Sequence, residues 1–303
     1  MKIFRGGSRL VAFGRRQCRA QTPGNSLREF SSSSMQHGRF RTEVIPIFED
    51  NYSYIVVDGE TSTALAIDTA DIVALQSALD ASGAELRALI STHWHDDHTR
   101  DNIKIAQRFP GVEIFGPSDE DIPARTRGLR GGEIFQVDEL RIHCISTPCH
   151  TSAHLSFYMP DLGASGSVFT GDCLFFAGCG RFFEGTASQM LQSLDSLAAL
   201  PAETQVFPGH EYTLSNLKFA ESVDPENKEI SDFRRDVTKA LEMGTIPFST
   251  VGREKLVNPF MRVREQSIRQ AVTQRTSQEQ GAEVKEEDDE ETMRLLRAMK
   301  DNF

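Results

Sequence analysis

From Thr42 onward the chain alternates short apolar runs with polar breaks, a rhythm that predicts strands. Residues 44–48, 52–57 and 64–67 are β-branched or aromatic runs separated by polar turns. The period then changes: over 71–81, Ile72, Leu75 and Leu79 fall on one helical face. Residues 86–91 read as a buried strand. Helix and strand then recur at 101–109, 112–115, 140–145, 154–158, 167–170, 187–200 and 205–207. Such a mixture suits helices packed outside a central sheet or sandwich. After Tyr212 the strand pattern stops, and 216–223, 228–243, 265–273 and 291–300 read as helices. The chain therefore divides into a leader (1–40), a mixed α/β part (41–211) and a smaller helical part (212–303).

Charge sharpens this division. The 303 residues carry a net charge of −11, which speaks against a nucleic-acid groove. Residues 1–40 hold eight bases against one acid, Glu29, for a net of +7. An Arg- and Ser-rich, acid-poor start without an apolar core has the character of a mitochondrial transit peptide, with a processing site around 28–32. Initiation at Met35 would give a cytosolic form. Residues 283–291 hold seven acids and one lysine and read as a solvated loop insertion. The densest apolar stretch, 167–183, is broken by Asp172 and Arg181, so no membrane span is expected. Five cysteines without a Cys-x-x-Cys pair read as free thiols.

The histidines change the picture most. Thr92-His93-Trp94-His95-Asp96-Asp97-His98 follows directly on a strand. In extended backbone His93 and His95 face one side, and Asp97 and His98 follow where the chain turns toward a second point. His150, Asp172 and His210 stand at comparable strand ends, the last two beside Gly171 and Gly209. Five histidines and two aspartates are too many for one zinc and suit two divalent ions sharing Asp172. Imidazole and carboxylate accept zinc, iron or manganese, with zinc the first expectation. His154 reads as a support for a ligand or as core. His37 and His143 belong to no constellation.

The His-x-His-x-Asp-His motif with the later His, Asp and His resembles the metallo-β-lactamase superfamily. Three longer runs, at 169–186, 209–220 and 258–265, are similar to the glyoxalase II (hydroxyacylglutathione hydrolase) family, and the likeness covers 42–303. The resemblance implies a four-layer αββα sandwich followed by a smaller all-helical domain. It puts His93, His95 and His150 on one metal and Asp97, His98 and His210 on the other, with Asp172 between. It makes Asp97 and Asp172 the groups that position a bridging hydroxide. Arg181, Phe183, Tyr212, Arg297 and Lys300 become contacts to glutathione. The implied reaction is thiolester hydrolysis of S-2-hydroxyacylglutathione, typically S-D-lactoylglutathione, in methylglyoxal detoxification, by a monomer with no nucleic-acid or membrane partner.

Two other functions fit parts of the pattern: a glutathione persulfide (sulfur) dioxygenase of the same superfamily, and a non-catalytic glutathione-binding protein. The chain also departs from the family. Arg181 stands where lysine is common, Phe183 where tyrosine is common, and Ala153 where glycine is usual. None of these is a metal ligand.

Overall fold

The computed structural model describes residues 34–280 and 288–303. Positions 1–33, with the expected processing site, and 281–287 of the acidic run lie outside the described residues. Seven strands form a first sheet in chain order: β1 (Ser34–His37), β2 (Phe40–Ile47), β3 (Asn51–Asp58), β4 (Thr63–Ile67), β5 (Glu85–Ile90), β6 (Glu113–Pro117) and β7 (Arg127–Leu129). The first four pair antiparallel and the rest parallel. The second sheet has the order β15-β14-β11-β10-β9-β8. Its members are β8 (Ile134–Val137), β9 (Leu140–Ser146), β10 (Leu155–Met159), β11 (Ser167–Gly171), β14 (Gln205–Pro208) and β15 (Ser249–Thr250). A small hairpin, β12 (Leu174–Phe175) with β13 (Gly178–Cys179), projects between β11 and β14 in the chain.

The sheets face each other through Val44, Tyr54, Phe115, Phe157, Phe169 and Phe207. Alternation along each strand sends the other faces to helices. Ile55, Ala66 and Ile114 pack on α1 (Ile72–Ser82) and α3 (Asn102–Arg108), which follow the short α2 (Asp96–Thr99) in part. The far face of the second sheet, with Val168 and Val206, packs on α4 (Ala187–Ala198). The result is a four-layer αββα sandwich.

The helices after residue 212 are α5 (Thr213–Val223), α6 (Lys228–Glu242), α7 (Val251–Val257), α8 (Gln266–Gln280) and α9 (Asp289–Asp301). They do not form a separate core. Leu194 and Leu197 of α4 share one apolar cluster with Phe219, Phe233, Phe260 and Leu296. The buried Glu254 fastens this region to the hairpin. It accepts from Ala177 N at 2.8 Å, Ser249 Oγ at 2.5 Å and Asn258 Nδ2 at 3.0 Å. Burial lifts its carboxyl to about 7.

Three expectations change. The leader does not run to residue 40, because Ser34–His37 pairs with Phe40–Glu43 across a two-residue turn in which Gly38 supplies a φ of 63°. Met35 lies inside that pair, opposite Thr42. The acidic run is not all loop: Asp288 caps α9 by accepting from Glu291 N, and Asp289, Glu290 and Glu291 form its first turn. Acids are favoured there by the helix dipole, which a reading of charge density alone ignores. The helical part also contributes one short strand, Ser249–Thr250, to the edge of the second sheet.

Candidate metal centre

The strands that run parallel set one edge of the sandwich. β4 and β5 end there with Asp68 and the 92–98 segment; β11 and β14 end there with Asp172 and His210. Ligand sites gather outside such strand ends. His150 follows β9, and Asp97 and His98 lie on α2. Two glycines make the crowding possible. A Cβ on Gly171 (φ +45°) would collide with Thr92 and come within 2.9 Å of His154, and one on Gly209 would collide with Asp172 and reach 2.8 Å from His98.

All seven expected ligands converge, in two halves. His95 Nδ1 lies 3.0 Å from both His93 Nε2 and His150 Nε2. In the other half, His210 Nε2 is 3.4 Å from Asp97 Oδ2, and His98 Nε2 is 3.7 Å from the same oxygen. Asp172 touches both halves: its Oδ2 is 3.2 Å from His150 Nε2 and 3.4 Å from His210 Nε2, and its Oδ1 is 3.3 Å from His98 Nε2. The donor atoms of His93, His95 and His150 lie within 4.8 Å of one another, as do those of Asp97, His98 and His210.

The surroundings orient these rings. His98 Nδ1 faces Asp68 Oδ2 at 3.1 Å, His210 Nδ1 faces Asp50 Oδ1 at 3.0 Å, and His150 Nδ1 faces the Arg181 carbonyl at 3.1 Å. Thr92 Oγ1 donates to Asp68 at 2.7 Å, so it accepts from His93 Nδ1 at 2.9 Å. The network thus assigns a proton to Nδ1 in four rings and leaves each Nε2 lone pair for a metal. His154 takes the Asp172 N–H at 3.2 Å, and so supports that backbone. Sequence reading missed Asp50, Asn51, Asp68, Glu120 and Glu184. Asn51 Nδ2 donates to Asp97 Oδ2 at 2.8 Å; Glu120 accepts from Ala153 N and Glu184 from Ser152 N, which pins the His150 loop. Only Asp68 carried a signal, since it follows a strand end as Asp172 does.

These donors fit divalent cations. Burial holds His93, His95 and His150 below the usual imidazole range, so three neutral rings aim lone pairs at a common point. In the acidic half, burial opposes charge on both rings, but Asp172 and Asp68 lift His98 to about 10, and Asp172, Asp50 and Asp97 raise His210. That half demands positive charge. His98 Nε2 and Asp172 Oδ1 are buried 3.3 Å apart, and neither makes a well-directed hydrogen bond to the described residues, as expected of lone pairs aimed at a metal.

A cavity of about 1060 Å³ opens over the cluster. Arg181, Phe183, Tyr212, Arg297 and Lys300 all line it. Phe183 is 60% exposed, its ring 5.0 Å from that of His150; Tyr212 stacks on His210 at 4.9 Å. Arg297 is buried, and donates to the Cys179 carbonyl at 3.0 Å. Lys300 donates to Ser215 O and Oγ, and burial beside Arg297 draws it down to about 8. Burial pushes the Cys149 thiol up to about 12 and that of Cys179 to about 11, which disfavours a nucleophilic cysteine.

The family model "Metallo-beta-lactamase superfamily" matches residues 48–210, and "Hydroxyacylglutathione hydrolase C-terminus" matches 211–303. A hydroxyacylglutathione hydrolase-like protein of Mus musculus is 43% identical over 76% of this chain and 82% of its own length. The chain belongs to the hydroxyacylglutathione hydrolase family. A hydroxyacylglutathione hydrolase of Cupriavidus taiwanensis is 38% identical over 87% of this chain and 99% of its own length. Among solved structures, a metallo-beta-lactamase from Staphylococcus aureus matches with a TM-score of 0.54 at 23% identity, over 76% of this chain and 63% of that one. That likeness concerns the fold. The resemblance to the hydroxyacylglutathione hydrolases extends through the C-terminal helices, where a sandwich alone would have no counterpart.

Proposed function

We propose that this protein is a thiolester hydrolase acting on S-2-hydroxyacylglutathiones, S-D-lactoylglutathione above all, and releasing glutathione and a 2-hydroxy acid. The observation that carries the reading is one cavity lined both by the histidine–aspartate cluster and by cations of the C-terminal helices. Family membership supports the same reaction, and the persulfide dioxygenase reading draws no support from the relatives' names. The family models, meeting at 210–211, support a catalytic part over 41–211 and a glutathione-binding part over 212–303.

His93, His95 and His150 would hold one divalent ion, and Asp97, His98 and His210 a second, with Asp172 between. Zinc suits these donors best, with iron or manganese as alternatives. When bound, such ions lower the pKa of water and polarise a carbonyl. The chain's own residues do the rest. Burial disfavours charge on Asp97, but His210, His98 and Asn51 hold it well below the usual carboxylate range, so it stays an anion able to align the attacking water. Water gives up a proton to solvent and adds to the thioester carbon, the C–S bond breaks, and the products are the 2-hydroxy acid and glutathione thiolate. Thiolate is a good leaving group, so no dedicated acid is needed.

Lys300 tests the recognition half of this reading. It is half-buried in the cavity wall and has no carboxylate within ion-pair reach among the described residues. Lys300→Ala should raise KM for S-D-lactoylglutathione by about tenfold, the worth of one charge-assisted contact. A small thioester lacking the tripeptide should be unaffected. Equal losses on both substrates would assign Lys300 to the fold, and a metal-loaded wild type inactive on the glutathione thioester would end the reading.

Among the described residues no helix is long and apolar enough to cross a membrane. The basic leader supports delivery to the mitochondrial matrix. Residues 1–33 fused to a fluorescent reporter should co-localise with mitochondria, and diffuse cytosolic signal would refute this.

A further inference from the structure

Asp301 stands where helix electrostatics disfavours a carboxylate. It is the last residue of α9, whose C-terminal end carries partial negative charge. Two guanidiniums hold it there. Its Oδ1 lies 2.8 Å from Arg297 Nη2 and 3.5 Å from Arg181 Nε. All three line the cavity, as do Lys218, Arg234 and Lys300. Apart from Asp97 and Asp172 of the cluster, Asp301 is the one acid among the described residues that line it.

The cations differ in how they are balanced. Arg234 pairs with Glu221, outside the cavity lining, and Lys300 rests on uncharged Ser215 oxygens. Arg297 is only 7% exposed, and its Nε has no hydrogen-bond partner among the described residues. A guanidinium so buried needs an anion beside it, and Asp301 is that anion.

We propose that Asp301 is a displaceable counter-ion. Its carboxylate occupies the two arginines that a substrate carboxylate must engage, and so sets how tightly glutathionyl compounds are held. This rests on the thioester reading above, because glutathione brings the competing carboxylate. On binding, the substrate carboxylate takes over contacts to Arg297 and Arg181, while the Asp301 side chain, 39% exposed, turns toward solvent. One carboxylate replaces another, so the net electrostatic gain is small and free glutathione leaves readily. The residue therefore trades affinity for product release.

Asp301→Asn tests this, since the amide oxygen still accepts from Arg297 while the charge is gone. The assay compares metal-loaded wild type and variant on S-D-lactoylglutathione, with free glutathione as inhibitor, beside a small thioester without the tripeptide. KM and the glutathione inhibition constant should fall together by about three- to tenfold, the range for one competing charged contact. The small thioester should be handled as before, and added salt should narrow the difference. A KM that rises would show that Asp301 orients the arginines and does not compete for them. An unchanged inhibition constant would equally overturn the proposal. Failure of the underlying reading looks different: wild type itself would neither hydrolyse the glutathione thioester nor be inhibited by glutathione.

Discussion

Asp172→Ala should lower turnover on S-D-lactoylglutathione by about a hundredfold or more, the scale expected when a two-ion site loses its shared ligand. Asp172 reaches both halves of the cluster, within 3.2 Å of His150 and 3.3 Å of His98. Its loss leaves each half with histidines and removes the negative charge that draws two cations close together. Metal content should fall in the same preparation. The backbone here is held independently, by the Gly209 N–H on the Gly171 carbonyl and by His154 on the Asp172 N–H, so the fold should survive. Two ions per chain with near-normal turnover would show that Asp172 does not bridge.

Asp68→Asn should weaken metal retention by about ten- to a hundredfold, the usual cost of losing a ligand's supporting carboxylate. Asp68 touches no expected metal position, yet it serves both halves. Its Oδ1 accepts from Thr92 N at 2.7 Å, and its Oδ2 accepts from Thr92 Oγ1 at 2.7 Å and from His98 Nδ1 at 3.1 Å. Thr92 Oγ1 passes the constraint on to His93. An amide at residue 68 must turn its N–H either toward the Thr92 N–H, which loses that backbone anchor, or toward Thr92 Oγ1 and His98 Nδ1 together, which loosens His98 and the His93 side of the network at once. Competition with a chelator measures the loss directly. Retention equal to wild type would leave Asp68 a purely structural residue.

The convergence of these seven side chains was legible because clusters at strand ends leave a local mark: alternate histidines straight after an apolar run, then glycine beside Asp172 and His210. What supports those ligands was not. Asp50 reaches His210 across 160 positions, and Asn51 reaches Asp97 across 46, so no window of sequence contains either pair. Arg297 and Lys300 looked like one gripping face because i and i+3 share a side of a helix. The fold separates them in kind: Arg297 is sunk against the Cys179 carbonyl and the Phe260 ring, whereas Lys300 stays half-exposed at the cavity. Tertiary burial decides that difference, and periodicity contains no information about it. The strand at Ser34–His37 was hidden for another reason. Leader-like composition on its N-terminal side outweighed a hairpin signal only a few residues long.

The apolar cluster that runs from α4 into α5–α9 has a consequence for exchange between relatives. A segment that selects the thiol carrier would be a natural unit to transplant, giving the same hydrolytic centre a different thiol to recognise. Among the described residues that cluster leaves no seam along which to cut. Replacing residues 212–303 would strip Leu194 and Leu197 of their packing partners and remove Glu254 from the hairpin that carries Phe175 and Cys179 into the cavity. A graft that respects the architecture must carry α4 and the 174–179 hairpin with it. New thiol specificity in this fold is therefore more accessible by point changes in the cavity wall than by swapping parts.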